Sequence, residues 1–205
     1  MKGKFVLIGG VSGVGKTTLA KRLCEVMGGS NIRFYHYILE TARKKGIKNP
    51  GPVWELLLEE SLPLIIEDIE REKFAVCDHH FAVQPIYDTA YALGELGVED
   101  LDEPYTKGLH DGALKMYGWS RITVYPILLD APTEHILSRR ESLSNIKRPR
   151  SLNPLSVDRE REYERRYFEE AADLLNGGDR NLMVAENKEG DFEQTFESVL
   201  EQIIE

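Results

Sequence analysis

Cysteine is scarce in this chain: Cys24 and Cys77 are the only two in 205 residues, and they form no C-x-x-C pair. That excludes a disulfide framework, and apolar neighbours on both sides make each read as a buried free thiol in a reducing compartment. Long uncharged apolar runs are missing as well, and none approaches the roughly 20 residues that a membrane-spanning helix needs. The N-terminal "MKGK" leads straight into an apolar strand, which leaves no space for the apolar core of a cleaved signal peptide. Positive charge is in deficit, with 26 Lys and Arg against 35 Asp and Glu, a formal net charge of -9. General nucleic-acid binding needs a basic surface for counterion release, so it is disfavoured. What is present, 41% hydrophobic and 30% charged residues without repeats or low-complexity segments, suits one globular cytoplasmic domain over 1–205.

Apolar periodicity predicts alternating strands and helices. "KFVLIGG" reads as a buried strand, and "KTTLAKRLCEVM" has helical spacing that Gly28-Gly29 stops. "NIRFYHY" reads as a second strand, with a short helix "ILETARKKG" after it. A long helix is expected from Val53 to Glu72, kinked or split by Pro63. "KFAVCD", "RITVYPILLD" and "NLMVAEN" supply three further strands. "PTEHILSRR" reads as a helix. Asn153-Pro154 fits the N-cap and first-turn proline of a long charged helix, ended by Gly177-Gly178. A last helix begins at Asp191 with Phe192, Phe196, Val199, Leu200 and Ile203 on one face. "YDTAYALGEL" reads as a helix inside the long stretch 81–120. Five strands alternating with helices make an α/β fold, a three-layer α/β/α sandwich around a parallel sheet.

The segment Gly10-Val11-Ser12-Gly13-Val14-Gly15-Lys16-Thr17, followed by Thr18, fits G-x-x-x-x-G-K-[ST] between a strand and a helix. Glycines let the backbone curl so that successive N–H groups face one anion at a positive helix terminus. Lys16 would reach the β- and γ-phosphates of ATP, and Thr17 would place its hydroxyl on Mg²⁺. The second acid for Mg²⁺ is expected at the end of a neighbouring strand, where Asp78 stands, bound directly or through water. His79 and His80 follow it, but adjacent strand residues point to opposite faces and make poor joint ligands with Cys77 for zinc.

Other P-loop classes fit less well. A regulatory GTPase would carry D-x-x-G where "DHHF" stands, and its N-K-x-D base reader lacks the acid in "NKEG" at 187–190. A small kinase instead needs arginines that neutralise a migrating phosphoryl group. Between Arg139 and Arg150 lie five basic residues, Arg139, Arg140, Lys147, Arg148 and Arg150, against one acid, Glu141. Such a basic island in an acidic chain points to a small anionic ligand. The arginines of "DREREYERRY" alternate with acids and read as a salt-bridged helix face.

The loop "GVSGVGKTT", the strand end "VCDHH", "ILLDAPTEHILSRR" and "KRPR" together resemble the P-loop nucleoside-monophosphate kinases, most of all the archaeal-type adenylate kinases. The resemblance implies sheet order 2-3-1-4-5, an acceptor-binding helical region at about 38–72 and a short arginine-containing lid at about 139–154. It further implies transfer from Mg-ATP to a nucleoside monophosphate, AMP first, with Lys16, Asp78, Arg139, Arg148 and Arg150 as catalytic residues. Adenine would pack near 185–190, and a homo-oligomer would be in keeping. The segment "KNPGPVWELLLEE" has no arginine for an acceptor phosphate, so Arg33, Arg43 or a lysine of "RKKG" would have to serve. The stretch after "DHH" loosely resembles thymidylate and deoxynucleoside kinases. A hydroxyl acceptor, with Asp78 as base, and a non-catalytic ATP-binding regulatory module are the alternatives.

Overall fold

The structure, a computed structural model, describes residues 2–50, 53–78, 121–143, 152–175, 182–187 and 190–204. Along the chain they form β1 (Gly3–Gly9), α1 (Lys16–Met27), β2 (Ser30–Asn31), α2 (Phe34–Lys44), α3 (Trp54–Glu72), β3 (Phe74–Cys77) and β4 (Ile122–Asp130). Then follow α4 (Thr133–Leu143), α5 (Pro154–Leu175), β5 (Met183–Glu186) and α6 (Phe192–Ile204). The strands form one parallel sheet in the order β2-β3-β1-β4-β5, as the sequence resemblance implied. The expected helix "YDTAYALGEL", His79, His80 and Gly177-Gly178 lie outside the described residues.

Strand β1 is buried on both faces, and its alternation divides the core in two. Phe5 and Leu7 join Ile38, Leu62, Ile65 and Phe168 on one face of the sheet. Val6 and Ile8 join Leu19, Leu23, Ile136 and Val199 on the other. This is the layered packing that a parallel sheet requires, because both of its faces must be covered. At Pro126 the chain of β4 pairs with Leu7 of β1, whereas pairing with β5 begins only at Ile127. A proline inside a strand is tolerated there because, among the described residues, β4 has one neighbouring strand at that level.

One expectation needs correction and another is narrowed. "NIRFYHY" is not a strand: β2 contains only Ser30 and Asn31, and from Phe34 the chain is helical. The aromatic residues favour a strand locally, but Phe34, Ile38 and Ala42 recur every four residues and are all buried, so tertiary packing sets the helix. Of the two outcomes expected at Pro63, a kink or a split, the split does not occur, since α3 runs unbroken from Trp54 to Glu72 with Pro63 inside it. Pro63 is on the exposed side, where solvent can serve the carbonyl that lacks its helical donor. Other boundaries agree with the sequence. The Gly28 amide closes α1 on the Cys24 carbonyl at 3.0 Å, and Asn153 Oδ1 accepts the Leu155 amide at 3.0 Å as the N-cap of α5. Cys77 is buried and Cys24 half-buried, and the two form no disulfide.

Candidate functional site

All strands point the same way, so the loop after β1, Asp78 after β3 and Asp130 closing β4 gather at one edge of the sheet. This C-terminal edge is where open parallel sheets bind ligands. The register fixes the neighbourhood: Leu7 pairs with Cys77 on one side, and Gly9 with Leu128 on the other.

The glycine loop makes its turns at positive φ. Gly10 has φ 126°, and a Cβ there would lie 2.1 Å from the Leu129 carbonyl oxygen. Gly15, at φ 102°, would bring a Cβ within 2.6 Å of Asn187 Nδ2. Any side chain at either position would be strained and would collide with its neighbour.

The loop's carbonyl groups are then taken one after another by side-chain donors. Lys16, itself buried, donates Nζ to the carbonyls of Gly10 and, at 3.1 Å, Val11. Arg140 Nε donates to Ser12 O at 2.9 Å. Arg139 Nη1 reaches the Gly13 and Val14 carbonyls at 3.3 Å each, and Asn187 Nδ2 donates to Val14 O at 2.6 Å. The carbonyls of residues 10–14 are thus all engaged, whereas of the loop amides Gly10 donates to Glu164 and Val14 to the Val11 carbonyl at 3.4 Å. The amides of residues 11–13 and 15 have no partner among the described residues and lie ahead of the positive end of α1.

Thr17 and Thr18 are exposed in the first turn of α1, whereas Asp78 is only 5% exposed and accepts Asn31 Nδ2 at 3.3 Å. The other amide atom, Asn31 Oδ1, is buried without a partner among the described residues. A hydroxyl and a carboxylate are hard oxygen donors of the kind Mg²⁺ takes, completed by waters and phosphate oxygens. The residues present therefore fit that ion.

The basic island divides. Arg139 half-emerges above the loop and also reaches Asn187 O at 3.5 Å. Arg140 does not fit the expectation of a ligand-binding cation: it is buried and forms a two-bond pair with Glu160 of α5, at 2.7 and 3.4 Å. A guanidinium held this way is a brace for Ser12. Lys147, Arg148 and Arg150 lie outside the described residues.

The arginines of α5 also depart from the expected helix face. Arg161 does meet Asp158 on its own helix at 3.5 Å, but its main partner is Asp130, gripped at 2.8 and 2.9 Å, with Arg165 adding a contact at 3.4 Å. Burial pushes the Asp130 carboxyl upward, but the Arg161 hydrogen bonds, the Ala131 amide and the two positive charges outweigh it and hold it below its ordinary range.

Glu164 is the site residue that sequence reasoning missed. It is 2% exposed, and its Oε1 accepts the Gly10 amide at 2.7 Å. Burial pushes its carboxyl up, while the Lys16 charge and the Gly10 hydrogen bond pull it back. The available signal was its place in a stripe: Val157, Arg161, Glu164, Phe168 and Ala172 share one face of α5, and four of them are buried. A lone acid in a stripe that is apolar apart from Arg161 marks a buried partner. Asp130 had a plainer signal, because it ends an apolar strand just as Asp78 does.

No family model matches the chain, and no curated protein does either. Among solved structures, the chain is similar to deoxyadenosine kinase from M. mycoides with bound dATP. The identity is 15%, the TM-score 0.58, and 98% of this chain and 100% of that one are covered. It is also similar to thymidylate kinase from Candida albicans, at 15% identity and TM-score 0.54, covering 98% of this chain and 91% of that one. The chain thus has the P-loop kinase fold, with its glycine loop at the edge of the central strand.

Proposed function

We propose that this chain is a Mg²⁺- and ATP-dependent small kinase that transfers the γ-phosphoryl group to a nucleoside monophosphate, with AMP the first acceptor to test. The observation that carries this reading is the row of loop carbonyls, residues 10–14, held by Lys16, Arg140, Arg139 and Asn187. It leaves the amides of residues 11–13 and 15 and the start of α1 for a polyphosphate.

In this reading Lys16 leaves the carbonyls of its own loop for the phosphate oxygens, and residues 10–18 cradle the chain of phosphates. Thr17 and Asp78 hold Mg²⁺, Asp78 directly or through water. Held there, Mg²⁺ would supply positive charge to offset that of the phosphates. Arg139, Arg148 and Arg150 converge on the migrating phosphoryl from the lid, 139–154. The acceptor lies against the helical region 38–72. Arg33 is the cation best placed for its phosphate: exposed at the N-cap of α2, it is two residues beyond the Asn31 that touches Asp78. Lys44 and Lys45, at the far end of α2 and roughly 15 Å away along the helix, face Glu40 and Glu60.

A nucleoside hydroxyl acceptor is the second reading, favoured by the likeness to a deoxyadenosine kinase and by a buried acid, Asp78, available as base. One assay separates them: Mg-ATP with nucleoside monophosphates, nucleosides and small alcohols, following ADP release and the phosphorylated product. AMP-dependent ADP release with ADP as the product supports the first reading, and a nucleoside-dependent signal the second. ATP binding without turnover on any acceptor assigns the chain to a regulatory module instead. Lys16→Ala should abolish transfer while leaving the circular-dichroism spectrum intact; undiminished turnover would sink the kinase assignment.

A further inference from the structure

In the hydrogen bonds given above, the side chains that meet the glycine loop donate to its carbonyls, whereas Glu164 accepts an amide. Its carboxylate sits behind the loop on α5 and takes the Gly10 N–H at 2.7 Å. The carbonyl of that same glycine is one of the two on which Lys16 rests. Gly10 therefore hangs between Glu164 on its nitrogen and Lys16 on its oxygen, in a conformation that only glycine adopts freely. One turn away on the same face, Glu160 grips Arg140, which holds Ser12. The aromatic ring of Phe168, one turn further, fills the space beside Gly9, with atoms 2.8–2.9 Å from where a Cβ would stand. Helix α5 is thus a floor under residues 9–12.

A carboxylate beneath a phosphate site is electrostatically adverse, and burying it costs more than burying an amide. Lys16 and the Gly10 N–H offset that cost, while Glu160, four residues away on α5, adds to it and is itself paired with Arg140. A group so unfavourable for stability has another use. We propose that Glu164 is a positioning residue of the nucleotide site: by accepting the Gly10 amide it orients the Gly10 peptide, and with it the path of Lys16 to the phosphates. The inference rests on the nucleotide reading above and adds a determinant of affinity that touches no ligand.

The test is calorimetric titration with Mg-ATP of the full chain and its Glu164→Ala, Glu164→Gln and Glu164→Asp variants, with thermal unfolding of each. Losing one such acceptor should weaken Mg-ATP roughly ten-fold in Glu164→Ala. Glu164→Gln keeps an oxygen at the same reach and should bind within about three-fold of the parent. If Glu164→Ala does not fold, Glu164→Asp takes its place, because its carboxylate stops one methylene short of Gly10. A folded Ala or Asp variant with parental affinity, or a Gln variant as weak as Ala, overturns the proposal. So does a change confined to the melting temperature, which would make Glu164 merely structural. If the parent chain binds no Mg-ATP, the nucleotide reading itself has failed. The tie to Gly10 is then read from that residue's amide resonance, which should titrate with the carboxyl in the parent and not in Glu164→Gln. An amide shift indifferent to the substitution removes the tie as well.

Discussion

At the scale of single residues, the acids that end the strands divide the work. Among the described residues, Asp130 is bound by two arginines and Asp78 by an asparagine amide. A carboxyl held below its unfolded value adds stability above that value, 3.8, and loses it as the pH falls through the folded value. Asp130→Asn should therefore cost about 2 kcal/mol at pH 7, and the gap should close below about pH 4. Urea denaturation at several pH values measures it. The charge of Asp78 has its own reporter. The Cys24 thiol is pushed up to about 11, by burial first and then by the negative charges of Asp78 and Glu25. Asp78→Asn should accordingly speed iodoacetamide labelling of Cys24 at pH 8, read by mass spectrometry, while a rate equal to the parent's would show that the two do not interact. At this scale the sequence was legible where a residue type has one use. Gly10, Gly15 and Lys16 follow from the motif's geometry. Arg139 and Arg140 are adjacent and chemically identical, yet one reaches over the loop and the other is buried with Glu160. Only the rotation of α4 against α5 tells them apart, and that is a property of packing.

Among elements, α5 carries the most consequence, since it supports the loop through Glu164 and Phe168 and the strand end through Arg161. Its start was readable because an N-cap asparagine followed by proline is a local signal. Asn153→Ala should cost about 1 kcal/mol in stability, seen as a lower urea midpoint with the slope unchanged; no loss would mean that the Asn153–Leu155 bond contributes nothing. Helix α2 shows the opposite case. Phe, Tyr, His and Tyr in succession favour extended chain, but β3 offers only four residues at that edge, and the i, i+4, i+8 positions had a core to fill. The unbroken α3 makes a related point: a proline breaks a helix only where its lost bond has no substitute, and on an exposed face water is one.

For the whole molecule, the layer order was legible from alternation and from the family resemblance, because five strands separated by helices leave few right-handed parallel arrangements. The acceptor side was not. The cation proposed for it cannot be chosen from Arg33, Arg43 and the neighbouring lysines until the direction of α2 is known, and that direction puts Arg33 just beyond the end of β2, at the same edge of the sheet as Asp78. Arg33→Ala should raise the KM for a nucleoside-monophosphate acceptor by about ten-fold and leave the KM for ATP unchanged in steady-state kinetics. An unaltered acceptor KM would move the phosphate elsewhere and strengthen the hydroxyl reading.

The proline in β4 has a bearing on how the protein behaves in concentrated solution. Below Ile127 that strand presents its flank without a described neighbour, and a bare flank of parallel sheet is a template onto which another chain can add. Pro126 offers no donor for such addition. A proline placed there, one residue before pairing with β5 begins at Ile127, is thus a guard against edge-to-edge association.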